Sequence, residues 1–152
     1  MTLVRVQTER FDVDNEIEAA TLGRRDVGAV VSFVGLCRDE GGTLDALDIE
    51  HYPGMAEAEI EATTQEAWRR WSLQALTVIH RYGSIAAGEP IVLVVAAAAH
   101  RGEAFAAAEF LMDYLKTRAP FWKRERRLDG SFGDWVGANE QDDRALERWR
   151  AH

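Results

Sequence analysis

Pro90-Ile91-Val92-Leu93-Val94-Val95-Ala96-Ala97-Ala98-Ala99 runs straight into His100-Arg101-Gly102 and then into Glu103 to Arg118, and the fold is read from this stretch. The first ten residues are apolar and rich in Val, about half the ~20 that a membrane-spanning helix needs, so they read as a strand buried on both faces. Glu103 to Arg118 repeats with helical spacing, and the pattern places Phe105, Ala108, Leu111, Met112 and Leu115 on its inward face. Ala119-Pro120 stops the helix. Phe121 to Arg127 then alternates like a strand, with Phe121, Lys123 and Glu125 on one face and Trp122 and Arg124 on the other. Trp122 reads as core. Phe132 to Val136 completes a predicted hairpin around Asp129-Gly130.

Working outward, Gly28 to Leu36 is almost continuously apolar, as a central strand would be, and it empties into the polar turn Cys37-Arg38-Asp39-Glu40-Gly41-Gly42. Leu3 to Gln7, Leu44 to Tyr52 and Leu76 to Tyr82 are further strands, the last alternating Leu76, Val78 and His80 against Thr77, Ile79 and Arg81. Gly83 to Glu89 reads as a loop. Helices are predicted from Asp14 to about Leu22, from Met55 to Trp71 with Ile60, Thr64, Ala67, Trp68 and Trp71 inward, and from Asp142 to Trp149. The connections do not all repeat a βαβ unit. The fold class is therefore α+β, helices packed on a mixed or largely antiparallel sheet, over one domain spanning 1–152.

The composition excludes several classes. Hydrophobic residues at 47% and charged residues at 29% give an ordinary globular mixture, not a disordered chain. A single cysteine, Cys37, excludes an internal disulfide, and with four histidines it leaves no structural zinc set. No secretory leader is read in Met1 to Gln7, and a cytoplasmic location is expected. The net charge of −8 argues against a general nucleic-acid or membrane-surface binder. Walker A, Gly-x-Gly-x-x-Gly and nucleophile-elbow motifs are absent from the sequence, and no resident cofactor is expected.

The cations are distributed unevenly. Of 18, 16 are arginine, and the two lysines, Lys116 and Lys123, stand seven residues apart. An ammonium can give up its proton at accessible pH and a guanidinium cannot, so a lysine kept among arginines suits acid, base or nucleophile chemistry. The segment 116–127 carries six cations and one acid, leaving −13 on the rest of the chain. Two readings stay open: a cationic pocket for a small anion on an acidic body, or an edge strand guarded by charge. His100-Arg101-Gly102, at a helix start, reads either as an anion site or as an ordinary polar loop. Phe33, Gly35 and Arg38, where a strand opens onto a glycine-rich turn, mark a third place where ligands bind, with Arg38 equally suited to a rim salt bridge.

Phe33-Val34-Gly35-Leu36-Cys37-Arg38, Glu50-His51-Tyr52-Pro53-Gly54-Met55-Ala56, His80-Arg81-Tyr82-Gly83, Gly88-Glu89, His100-Arg101 with Ala104-Phe105, Asp113-Tyr114-Leu115-Lys116 and Pro120 to Glu125 together resemble the catalytic (large) subunits of molybdopterin synthases, over about Phe33 to Trp149. The resemblance implies an α/β-hammerhead fold and a homodimer that binds two small ubiquitin-like sulfur-carrier subunits, making a heterotetramer. It implies that each carrier's Gly-Gly C-terminus, as a thiocarboxylate, enters a pocket where two sulfurs pass to cyclic pyranopterin monophosphate to form the molybdopterin dithiolene. By matching motifs, Lys116 and Lys123 would be catalytic. Leu36, Cys37, Arg38, His100, Arg101, Lys116, Lys123, Arg124 and Glu125 would bind substrate, with Phe33 and Met112 lining the pocket. His100 and Arg101 are open to coming from the neighbouring copy. The competing reading is a non-catalytic module for a phosphorylated ligand or a ubiquitin-like tail. Neither nucleic acid nor membrane is an expected partner.

Overall fold

A computed structural model describes residues 1–137 and 140–150. In chain order the elements are β1 (Thr2–Gln7), α1 (Val13–Thr21), β2 (Ala29–Leu36), β3 (Leu44–His51), α2 (Met55–Arg70), β4 (Ala75–Arg81), β5 (Gly83–Ala86), β6 (Pro90–Ala98), α3 (Arg101–Arg118), β7 (Phe121–Arg127) and α4 (Glu140–Arg150). Four strands form a mixed sheet in the order β1-β4-β6-β2, in which β1 runs parallel to β4 and the other pairs are antiparallel. Three more form an antiparallel sheet, β5-β3-β7.

β6 explains why a strand could be so uniformly apolar. All nine of its residues are buried, because its two faces meet two different cores. Leu93, Val95 and Ala97 join Ala75 and Ile79 of β4 beneath α1, where Ala20, Phe11, Val13 and Ile17 cover them. Val92, Val94 and Ala96 face the other way, with Leu76 and Val78, onto Ile60 and Ala67 of α2 and Ala104, Phe110 and Leu111 of α3. The same cluster takes in Ile49, Ile85 and Phe121, so the small sheet is seated on the large one through apolar side chains. No described helix is long and apolar enough to cross a membrane.

Several expectations need correction. β2 is an edge strand of its sheet rather than a central one: apolar side chains on both faces say what a strand packs against, not how many strands hydrogen-bond to it. Val30 and Phe33 remain over a third exposed there. Gly83–Ala86 is not loop but β5, paired with β3 from Ala46↔Ala86 to Ile49↔Gly83. The inward face of α3 is rotated from the expected one: Ala104, Ala107, Ala108, Phe110, Leu111 and Leu115 are buried, while Phe105 is 61% exposed. Small alanines let the helix lie close to the sheet, and a large ring in the first turn has no room there. α1 begins at Val13, capped by Asp12, whose Oδ1 accepts from the Asn15 amide at 3.1 Å. The predicted hairpin is only partly formed; the return segment meets β7 at two bridges, Lys123↔Val136 and Arg126↔Phe132. Trp122 is 38% exposed and stands edge-on to Tyr52, ring centroids 5.3 Å apart, outside the core.

Candidate functional site

Where the two sheets meet the C-terminal half of α3, they enclose a cavity of about 340 Å³. Its floor is apolar: Leu44 and Leu47 of β3, Ile91 and Val92 of β6, and Leu115 of α3. Its charged groups arrive from three elements. Lys116 comes from the last turn of α3, Lys123 and Glu125 from the inward face of β7, and Arg38 from the turn after β2. Three cations against one carboxylate make this an anion-attracting concavity on an acidic protein.

Local backbone features aim these groups. Gly35 pairs with Val92, and the register then slips so that Leu36 opposes Pro90, an irregularity just where Leu36, Cys37 and Arg38 enter the cavity lining. Gly35 is needed there because a Cβ would lie 2.7 Å from Val92 Cγ1 and 3.5 Å from the Phe33 ring. On β7, the period of two sends Phe121, Lys123 and Glu125 inward, as the alternation predicts. β7 is also an edge strand, and its outward arginines pair with β3: Arg124 with Asp48 at 3.2 Å and Arg126 with Asp45 at 3.1 Å. The two faces of the basic strand thus differ: Lys123 and Glu125 line the cavity, while Arg124 and Arg126 pair with aspartates of β3.

Nine of the residues singled out in the sequence line this cavity: Phe33, Gly35, Leu36, Cys37, Arg38, Met112, Lys116, Lys123 and Glu125. Arg38 is exposed and ion-paired with Glu40 at the rim. Three lie elsewhere in this chain. Arg124 is on the opposite face of β7, its guanidinium 4.1 Å from the Phe132 ring centroid and 4.6 Å from that of Trp135. His100 and Arg101 are exposed at the start of α3, and sixteen residues of helix, about 24 Å, separate His100 from Lys116.

Among the lining residues not singled out for the site, His80 of β4 is the titratable one. Its ring stacks on Phe121 with centroids 3.8 Å apart and planes 12° from parallel. Nδ1 lies 2.8 Å from the Arg81 carbonyl oxygen. Burial, opposed by that hydrogen bond and reinforced by the Lys123 and His51 charges, lowers the His80 pKa to about 3, so the imidazole is neutral at physiological pH. The sequence signal was its place on the same face of the alternation as Leu76 and Val78. Cys37 is 2% exposed, and burial, with Asp39, Glu125 and Glu89 nearby, raises its thiol pKa and keeps it protonated. A protonated, buried thiol is a packing group rather than a nucleophile.

A family model described as "MoaE protein" matches residues 6–118. A protein from Mesorhizobium japonicum described as a molybdopterin synthase catalytic subunit is 66% identical over 148 residues, covering 97% of this chain and 93% of that one. A second, from Rhizobium meliloti and described in the same words, is 58% identical over 146 residues, covering 96% of this chain and 94% of that one. Among solved structures, a molybdopterin biosynthesis MoaE protein from Burkholderia ambifaria superposes with a TM-score of 0.86 at 44% identity, covering all of both chains.

Proposed function

The chain belongs to the MoaE family, and from that premise we propose that it is the catalytic subunit of a molybdopterin synthase, a sulfurtransferase. Its substrate is cyclic pyranopterin monophosphate, and its sulfur donor is the thiocarboxylated Gly-Gly tail of a small ubiquitin-like carrier. The observation that carries this reading is the convergence of Lys116 and Lys123, the chain's two lysines, from different elements on one cavity. A phosphorylated substrate and an anionic tail both suit three cations, Arg38, Lys116 and Lys123, around an apolar floor.

The sulfur arrives on the carrier, so the chain needs no nucleophilic cysteine, in keeping with the buried Cys37. Building carbon–sulfur bonds on the pterin side chain requires proton transfers and relief of developing negative charge. Lys116 is the acid/base group, since an amine can exchange a proton where a guanidinium cannot, and Lys123 supplies fixed charge and orientation. Leu36, Cys37, Phe33 and Met112 shape the pocket, and Arg38 and Glu125 guard its rim. Arg124 braces β7 against Asp48 from outside.

His100 and Arg101 enter the site from a second copy, making a homodimer and, with two carriers, a heterotetramer. Support for this lies in the exposed apolar edge strand β2 and the exposed positions of His100 and Arg101, far from this chain's own Lys116. Residues 1–152 act as one domain, as the cluster joining Ile49 and Phe121 to Val94 and Leu111 supports. We place the reaction in the cytoplasm, where a lone reduced thiol is the ordinary state.

The test is reconstitution. Purified chain, thiocarboxylated carrier and cyclic pyranopterin monophosphate yield the dithiolene product. Tight binding of carrier and pterin with no product would favour the non-catalytic module instead.

A further inference from the structure

His80 has a chemical role that its place on a buried strand conceals. Its Nδ1 faces the Arg81 carbonyl at 2.8 Å, and a carbonyl only accepts, so Nδ1 carries the proton and Nε2 keeps its lone pair. The ring is clamped against Phe121, which stands two residues before Lys123 on the same face of β7. β4 and β7 belong to different sheets, so this stack is one of the contacts that fixes the lysine-bearing strand over the cavity. His80 and Lys123 both line the cavity, and the Lys123 charge is felt at the His80 ring.

We infer that His80 is a positioning residue for Lys123: its Nε2 lone pair, held at the cavity wall by the Arg81 carbonyl bond and the Phe121 stack, is an acceptor within the field of the Lys123 ammonium and sets where that amine meets the substrate. The inference rests on the proposed sulfur-transfer reading for its catalytic consequence, but not for its geometry. A neutral acceptor suits this wall. The charged or titratable groups around it are Lys116 of α3, Lys123 and Glu125 of β7, Arg38 and Cys37 after β2, His51 of β3 and Arg81 of β4 itself. A further cation among them would repel the lysines, and the low proton affinity of the buried ring prevents that.

Because the chain holds two lysines, isotopic labelling of lysine gives two side-chain NMR signals, assigned with Lys116→Arg. His80→Phe keeps a ring against Phe121 and removes the lone pair; His80→Gln restores an acceptor. In His80→Phe the Lys123 signal titrates at lower pH by about half a unit or more, a roughly threefold loss of proton affinity, and in His80→Gln it moves back toward wild type. In the reconstituted complex, His80→Phe lowers kcat about tenfold or more with KM for the pterin little changed, and shifts the alkaline limb of the pH–rate profile the same way. An unchanged Lys123 titration in folded His80→Phe overturns the inference. A measurement on the otherwise native chain covers the case in which that variant does not fold. The ¹⁵Nε2 resonance of His80 moves to the position of an unbonded lone pair in Lys123→Met if the inference holds, and failure to move overturns it. Absence of product from wild-type protein would sink the sulfur-transfer reading while leaving both NMR outcomes decisive for His80.

Discussion

Acid stability isolates His80 cleanly. The folded imidazole binds a proton only near pH 3, whereas in the unfolded chain it does so near its ordinary 6.5. Between those values the unfolded state holds more protons, so the stability of the fold falls as pH falls, and the contribution is fully present only above about 6.5. At about pH 5 the unfolded ring lies 1.5 units below its midpoint while the folded ring is still neutral. At about 1.36 kcal/mol per unit, the expected loss relative to about pH 8 is about 2 kcal/mol. That is a sizeable fraction of the 5–15 kcal/mol typical of whole domains and amounts to roughly 4–8 °C in Tm at this size. Carboxylates and the other histidines titrate too, so the readout is a difference. His80→Phe retains an aromatic partner for Phe121 but cannot titrate, and it leaves the Arg81 carbonyl without its donor, which costs about 1–3 kcal/mol at every pH. Urea unfolding of both proteins at about pH 8 and pH 5 should therefore show wild type losing about 2 kcal/mol more than the variant over that interval, with equal m values. Parallel losses would mean that the folded ring titrates normally, and the picture of a dry, neutral histidine beside Lys123 would fail.

Three further outcomes are expected. Lys116→Arg keeps the charge but not the titrating amine; product formation should fall by about 100-fold or more with Tm unchanged, and near-normal turnover would remove Lys116 from its acid/base role. Gly35→Ala places a methyl 2.7 Å from Val92 Cγ1 and should cost about 1–3 kcal/mol by urea denaturation, whereas unaltered stability would show that the β2 exit has slack. Arg124→Ala loses a half-buried ion pair with Asp48 and the stacking on Phe132 and Trp135, and should lower stability by about 1–2 kcal/mol. A fall in kcat/KM with unchanged Tm would instead return Arg124 to the substrate.

The α+β class and ten of the eleven elements were legible in the sequence because period-two and period-3.6 patterns report directly on burial, whereas Leu36, Cys37 and Met112 were referred to the site by the family resemblance and not by pattern. The apolar run of β6 needed both faces covered, and α1 on one side with α2 and α3 on the other cover them. The alternation in β7 correctly turned Lys123 toward Lys116. What escaped reading was information carried by pairing rather than by pattern. β2 looked central because its side chains are apolar, yet its hydrogen-bonding edge is not encoded in them. β5 is four residues long, two of them exposed, too short for periodicity to show. Phe105 was misplaced because alanines, weak in any hydrophobic ranking, form the contact face of α3. His80 escaped because nothing in a sequence says that the ring it stacks on arrives from a strand forty residues later.

The central claim is that two amines share one pocket with one anionic guest. In lysine-labelled chain titrated with cyclic pyranopterin monophosphate, the Lys116 and Lys123 signals should shift together along a single saturation curve, and Arg38→Ala should weaken both responses equally. Movement of one signal without the other, or separate curves with different midpoints, would contradict a shared site.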